Sequence, residues 1–200
     1  ELVENDQPTE LPLRVSRARA RAEQRDLAGA RRDLTLVFAL AASLEVPEAR
    51  ATGLTILGDV EYKEGDLIAS AATLEEAVAE WRALDDPRGL AEALRFRGMT
   101  DVFRGELDTA VAYIEEALAL FRSIEDRRGE AWGLQNLAWI AFQRGRHAKA
   151  EARLTASATA FGELGDWGGV AWALGLLAWV HFTQGKLEEA HSLATQILRE

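Results

Sequence analysis

Three imidazoles, seven clustered guanidiniums and a run of glycines are the groups in this 200-residue sequence that could do obvious chemistry. His147, His181 and His191 could ligate a metal or move a proton. None of them stands three residues from another, and no acidic partner sits at a ligand's spacing. No nucleophile is tied by spacing to a base, as a catalytic grouping requires. Gly162, Gly165, Gly168 and Gly169 look like a phosphate loop, but no strand pattern precedes them and no Gly-Lys-Ser/Thr follows. They fall between helical segments and read as the loop there. Arg14, Arg17, Arg19, Arg21, Arg25, Arg31 and Arg32 could pair with phosphates. Glu10, Glu23, Asp26 and Asp33 dilute that charge, and no aromatic residue interleaves. The run reads as a solvated helix face or a contact with another domain. With no Cys, disulfides and thiolate metal sites are excluded. The chain therefore reads as a non-enzyme, with no catalytic, cofactor-binding or metal-ligating residues.

What these residues sit on is set by a forty-residue beat. Gly65, Gly105, Gly145 and Gly185 keep that step. So do Leu54, Leu94, Leu134 and Leu174, the series Ala51, Ala91, Ala131 and Ala171, and the series Asp86, Asp126 and Asp166. A fixed period in this range is the signature of stacked repeats. Within Pro87 to Asp126, residues Leu90, Ala91, Leu94, Gly98 and Val102 form one apolar helical face. Gly105 interrupts, since glycine takes the left-handed conformation that ends a helix. Leu107, Ala110, Val111, Ile114, Ala117, Leu118 and Phe121 then form a second face. Asp126 caps the helix that follows by accepting from its free N–H groups. Asp86 is followed by Pro87, which suits a first helical turn, and Pro47 holds the same place one unit earlier. Small residues mark the close approach of two helices: Gly58, Gly98, Ala138 and Ala178 in one column, Ser70, Ala110, Ala150 and Ala190 in another.

The bulk numbers agree with a folded scaffold. At 48% hydrophobic and 28% charged residues the chain is globular. The net charge of −10 argues against direct nucleic-acid or membrane-surface binding. The first 46 residues are near neutral, with eight acidic groups against seven Arg, so the acidity belongs to the clear repeats. The longest apolar run, Leu34 to Ala42, is too short to span a bilayer and reads as a buried helix. The missing Cys and signal peptide fit a cytoplasmic location. Both ends look cut: there is no initiator Met, and no polar capping helix closes Leu198-Arg199-Glu200. The expectation is a piece of a longer protein.

The columns resemble the tetratricopeptide repeat, whose pattern runs W-x2-L-G-x2-Y, then A-x3-F, then P. Leu54-x2-Leu57-Gly58 and Leu134-x2-Leu137-Ala138 match the first part, with Leu for Trp. Ser70-x3-Leu74, Ala110-x3-Ile114 and Ala150-x3-Leu154 match the second. The Tyr column holds Glu61, Asp101, Ala141 and His181, with the large residue displaced to Tyr62, Val102, Phe142 and Phe182. The terminal Pro is absent and the period is forty instead of thirty-four. The chain is similar to the longer-period repeats in the sensor arms of bacterial MalT-like and LuxR-type signalling regulators. The resemblance implies an all-α fold, a right-handed α-α superhelix (TPR-like solenoid) of about five helical hairpins. The units run 47–86, 87–126, 127–166 and 167–200, after a degenerate repeat within 1–46. In that first unit Leu27, Ala30 and Leu34 align with Leu67, Ser70 and Leu74. Arg25 replaces the turn Gly, and Arg14 and Arg17 replace Leu54 and Leu57. Either the register slips there or its first helix meets something absent from the chain.

The family's ligand residues come from the second, fifth, ninth and twelfth places of the motif. Carried over, the fourth unit offers Trp132, Gln135, Trp139 and Phe142, and the fifth Trp172, Gly175, Trp179 and Phe182. Each set falls on one helical stripe. The second unit offers Thr52, Thr55, Asp59 and Tyr62, and the third Glu92, Arg95, Met99 and Val102. The groove is thus expected to be polar at one end and aromatic at the other. Trp is over-represented among interface hot spots. Three readings stay open for the aromatic stripe: a surface for a protein, a peptide or a small effector; a face docked by a missing domain of the same chain; or plain core. The favoured function is a protein- or peptide-binding scaffold in a bacterial signalling or transcription regulator. A small-molecule sensor and a structural self-association module are the alternatives. Oligomeric state is not legible.

Overall fold

A computed structural model describes residues 7–198 of the chain. Residues 1–6 and 199–200, which carry the two cut-looking ends, lie outside the described residues. Ten helices and no strand occur among the described residues: α1 (Gln7–Glu23), α2 (Leu27–Ser43), α3 (Pro47–Glu64), α4 (Leu67–Ala83), α5 (Pro87–Arg104), α6 (Leu107–Ser123), α7 (Arg127–Gln143), α8 (His147–Glu163), α9 (Trp167–Thr183) and α10 (Leu187–Ile197). Odd-numbered helices begin at residues 7, 47, 87, 127 and 167, so the forty-residue step sets the helix starts. The chain divides into two compact units, Glu1–Glu106 and Leu107–Glu200.

Local chemistry sets the helix ends. The Asp86 carboxylate accepts from Arg88 N–H and Gly89 N–H, Asp126 from Gly129 N–H, and Asp166 from Gly169 N–H. Asp26 and Asp66 cap α2 and α4 in the same way, so the device serves second helices too. Gly65, Gly105, Gly145 and Gly185 are left-handed, with φ between 69° and 89°. At the far ends of the even helices, Glu45, Asp85 and Glu125 take the same conformation at φ 53–55°, where only the fourth site, Gly165, is glycine.

In the first unit α3 lies against α1 and α2, and α5 against α3 and α4. The small columns place helices in close contact: a Cβ on Gly58 would fall 2.4 Å from Leu74 Cγ. The Ser70 hydroxyl donates to Gly58 O across the same joint at 2.8 Å. The first hairpin keeps register with its repeats. Arg25 adopts the glycine conformation at φ 63°. Arg14, Arg17 and Arg21 converge on the buried Asp33 of α2, with Arg17 Nε donating at 2.9 Å and Arg21 Nη1 at 2.7 Å. The helix α2 is buried on one face only, through Leu34, Val37 and Ala41, while Leu36 is exposed.

In the second unit α9 lies against α7 and α8. The two alanines at the α7–α8 joint, Ala138 and Ala150, are fully buried. Ser157 donates from its hydroxyl to Ala131 O at 2.9 Å, a second tie between those helices. Of the clustered glycines only Gly165 lies in the turn; Gly162, Gly168 and Gly169 are helical, so the loop is shorter than the sequence suggests.

Candidate functional site

The aromatic stripe of the second unit is built on α7 and α9, which touch each other. A three-residue step on each helix brings a Trp and a Phe together. Trp139 stacks on Phe142 with ring centroids 5.2 Å apart and planes inclined at 28°. Trp179 stacks on Phe182 at 5.7 Å and 27°. The same pair thus recurs, forty residues on, on a neighbouring helix. Phe142 also meets the His147 ring edge-on at 5.7 Å.

Burial sorts the expected residues. Trp172 is 60% exposed, Trp179 50% and Phe182 54%, and Gly175 is open. Trp139 and Phe142 are half-buried. Trp132 leans inward, edge-on to the fully buried Phe161 at 5.0 Å, and packs on the core of its unit. Gln135 is buried at 3%, and its side-chain carbonyl oxygen has no hydrogen-bond partner. The stripe is therefore part surface and part core, graded from α9 to α7.

A charged group ties α8 to the turn after α9. The Glu151 carboxylate on α8 accepts from Gln184 Nε2 at 2.8 Å and from Lys186 Nζ at 3.0 Å. These bonds, Lys186's first, hold it below the usual glutamate range. His181 Nε2 lies 3.8 Å from the same carboxylate. The arrangement can take up apolar or aromatic side chains on its rings, and cations over the Trp faces.

The stripe of the first unit differs in kind. Tyr62 is half-buried and meets Phe103 edge-on at 5.2 Å. Burial, then the Asp59 carboxylate, push its hydroxyl up to about 12, so it remains a neutral donor at physiological pH. Arg95 lies 4.2 Å over the Phe96 ring, and Met99 is half-buried. Arg19 on α1 and Glu92 on α5 form a two-pronged ion pair, one arm of which spans 3.2 Å. Lys63 Nζ donates to Asp59 at 2.6 Å and to Ala22 O at 3.1 Å, closing the end of α1. Phe103 and Arg19 lie outside the four motif places that guided the sequence reading. Phe103 follows Val102 by one position, and Arg19 is one of seven Arg in its run, so neither had a distinguishing signal. Among the described residues no three His, Cys, Asp or Glu side chains are placed to hold a metal ion. No described helix is long and apolar enough to cross a membrane.

Repeated helical hairpins joined through small residues, with aromatic rings along the first helices, define an all-α repeat scaffold. Tetratricopeptide-repeat models match residues 49–123, 89–163 and 136–199, and the chain belongs to the tetratricopeptide repeat family. Among solved structures it is similar to a Rap protein complexed with competence and sporulation factor, at a TM-score of 0.87 and 16% identity over 95% of this chain. It is also similar to the Rap conjugation gene regulator of plasmid pLS20 in complex with the Phr* peptide, at 0.81 and 16% over the whole chain. A third neighbour is a signal transduction ATPase with numerous domains and a tetratricopeptide repeat sensor, from Pyrococcus horikoshii, at 0.73 and 18% over 98% of this chain. The chain spans 53%, 57% and 31% of those chains, respectively. At these identities the likeness shows the fold alone. No curated protein matches in sequence.

Proposed function

We propose that the aromatic face of α7 and α9 is a recognition surface for a protein or peptide segment carrying apolar side chains. In this reading the chain is the sensor or adaptor part of a cytoplasmic bacterial signalling or transcription regulator, and it binds without turnover. The observation that carries the reading is the recurrence of one stacked Trp–Phe pair on neighbouring helices, half-buried on α7 and half-exposed on α9. Rigid aromatic rings give large contact area at low entropic cost, and Trp side chains dominate interface energetics. The two Rap neighbours were solved with a factor or a peptide bound, which agrees with this use of the fold. Fold likeness does not fix function, so the weight rests on the rings.

A small apolar effector is the second reading. The open rings of Trp172, Trp179 and Phe182 on α9 would give such a ligand an apolar seat. A peptide-display selection on the native chain tests the first reading, with the folded Trp139→Ala/Trp179→Ala variant as counter-target. Selected peptides should be rich in apolar residues and lose at least tenfold in affinity on the variant. Peptides that bind both proteins equally would move recognition to another face. Saturable one-to-one quenching of Trp fluorescence by a small molecule, independent of any peptide sequence, would favour the effector.

A further inference from the structure

In the second unit the described Arg and Lys side chains fall into two groups. Arg122, Arg127, Arg128, Arg144 and Lys186 each pair with a carboxylate. Arg146, Lys149 and Arg153 pair with none among the described residues, and all three stand at the start of α8. Spacings of three and four residues put them on one helical stripe. Arg146 and Lys149 are exposed, and Arg153 is half-buried. Arg153 Nη1 donates to Leu137 O at 3.0 Å, which satisfies one N–H but does not neutralise the charge. Burial, opposed by the Glu115 carboxylate of α6, holds Arg153 below the ordinary arginine range.

The stripe runs against the electrostatics of its own helix. A helix N-terminus carries bare N–H groups and a partial positive charge, so it favours anions. The repeat obeys this elsewhere. The column that holds Arg146 holds Asp26 and Asp66 in earlier hairpins, and their carboxylates cap α2 and α4. The helix α8 has no side-chain cap and no acid in its first turn. The helix α10 also starts on a cation, Lys186, but Glu151 pairs with it, and Glu188 and Glu189 stand in its first turn. At α8 the local choice conflicts with the fold and nothing within the fold compensates it, which is the pattern of a site used from outside.

We infer that this stripe is a docking site for an acidic peptide segment of a partner protein. Arg146 and Arg153 stand about 10 Å apart along the helix, at 1.5 Å per residue. An extended segment covers that distance in three residues, at about 3.3–3.6 Å each. Carboxylates at every third position would therefore meet both ends of the stripe, with Lys149 between them. The first would also accept from the bare N–H groups of α8, and hydrogen bonds between charged groups are the strong ones. A nucleic-acid strand fits less well: it would bring its phosphates onto a chain of net charge −10, and no Trp, Tyr or Phe interleaves the three cations. The stripe lies on a second helix, apart from the first helices that carry the aromatic rings, and the inference does not depend on what those rings bind.

The probe is a fluorescein-labelled peptide with Glu at every third position and Ser between. It is titrated with the native chain at low salt and followed by fluorescence anisotropy. Saturable binding that weakens as salt rises is expected. Arg146→Asp should weaken it at least tenfold. That substitution also supplies the cap found on α2 and α4, so lost binding would not be lost folding. Lys149→Glu, at an exposed position, should show the same loss. The charge-matched Arg127→Asp, at a paired cation on α7, should leave binding unchanged. No binding by the native chain, or equal losses for Arg146→Asp and Arg127→Asp, would overturn the inference. Oligothymidylate that displaces the peptide at equal charge concentration would give the stripe to nucleic acid and overturn the assignment of an acidic peptide.

Discussion

Asp33 carries more of the first hairpin than its place in the sequence reveals. Its carboxylate is buried and accepts from Arg17 and Arg21, with Arg14 at 3.5 Å. The Arg17 bonds come first among the causes that hold its pKa below the ordinary 3.8. A carboxylate whose pKa is depressed on folding contributes stability that is complete above the unfolded value and is lost as pH falls through the folded one. Asp33→Asn should therefore destabilise the protein at pH 7 by about 2 kcal/mol, the scale of hydrogen bonds to charged groups. The gap to the native chain should close in acid, below pH 3.8, when both are measured by urea denaturation. A constant gap across pH would show that the carboxylate's charge is not what counts. None of this was legible in the Arg run. Asp33 counts in the sequence only as one of four acidic residues diluting the run; that it is the buried acceptor depends on its place on the next helix, sixteen residues from Arg17. Arg14 and Arg17 occupy Leu columns, and only the fold shows that a buried anion replaces the missing apolar contact.

At the scale of the helices the sequence was far more transparent. Period, caps and turn glycines each follow from backbone chemistry within a few residues, so they could be placed without a fold. Left-handed Glu45, Asp85 and Glu125 were not foreseen, because Glu carries no local signal for that conformation and a single Asp only a weak one. Nor was the helical state of Gly168 and Gly169. Gly169 has its reason across a joint: a Cβ there would stand 2.4 Å from the Phe161 ring. Gly175 lies in the same helix with nothing within 4 Å of its would-be Cβ. Glycine costs a helix interior about 1 kcal/mol relative to alanine. The two substitutions should therefore differ in sign. Gly175→Ala should raise stability by up to about 1 kcal/mol. Gly169→Ala should lower it, since overpacking costs roughly 1–3 kcal/mol. Thermal melts of the two variants decide the matter, and a stabilised Gly169→Ala would refute the ring contact. Ala150→Phe tests the α7–α8 joint in the same way. The side chain is fully buried, and a clear drop in melting temperature of the same overpacking origin is expected. An unchanged melt would sink that helix pairing.

For the molecule as a whole, the two compact units carry different surfaces on their first helices. The first unit presents paired charges around Tyr62, Arg19 and Glu92; the second presents rings. That contrast follows the residue types at the repeated places. They could not foretell the grading within the aromatic set, because burial depends on which helix lies over each ring. Trp132 and Gln135 go inward, while Trp172, Trp179 and Phe182 stay open. The proposed recognition of a partner falls on the rings of α7 and α9. Its most direct test is affinity capture from native lysate, read by mass spectrometry. The native chain is compared with the Trp139→Ala/Trp179→Ala variant, shown to be folded by circular dichroism. A partner held by the native chain and lost by the variant is expected; equal capture by both would contradict recognition by these rings.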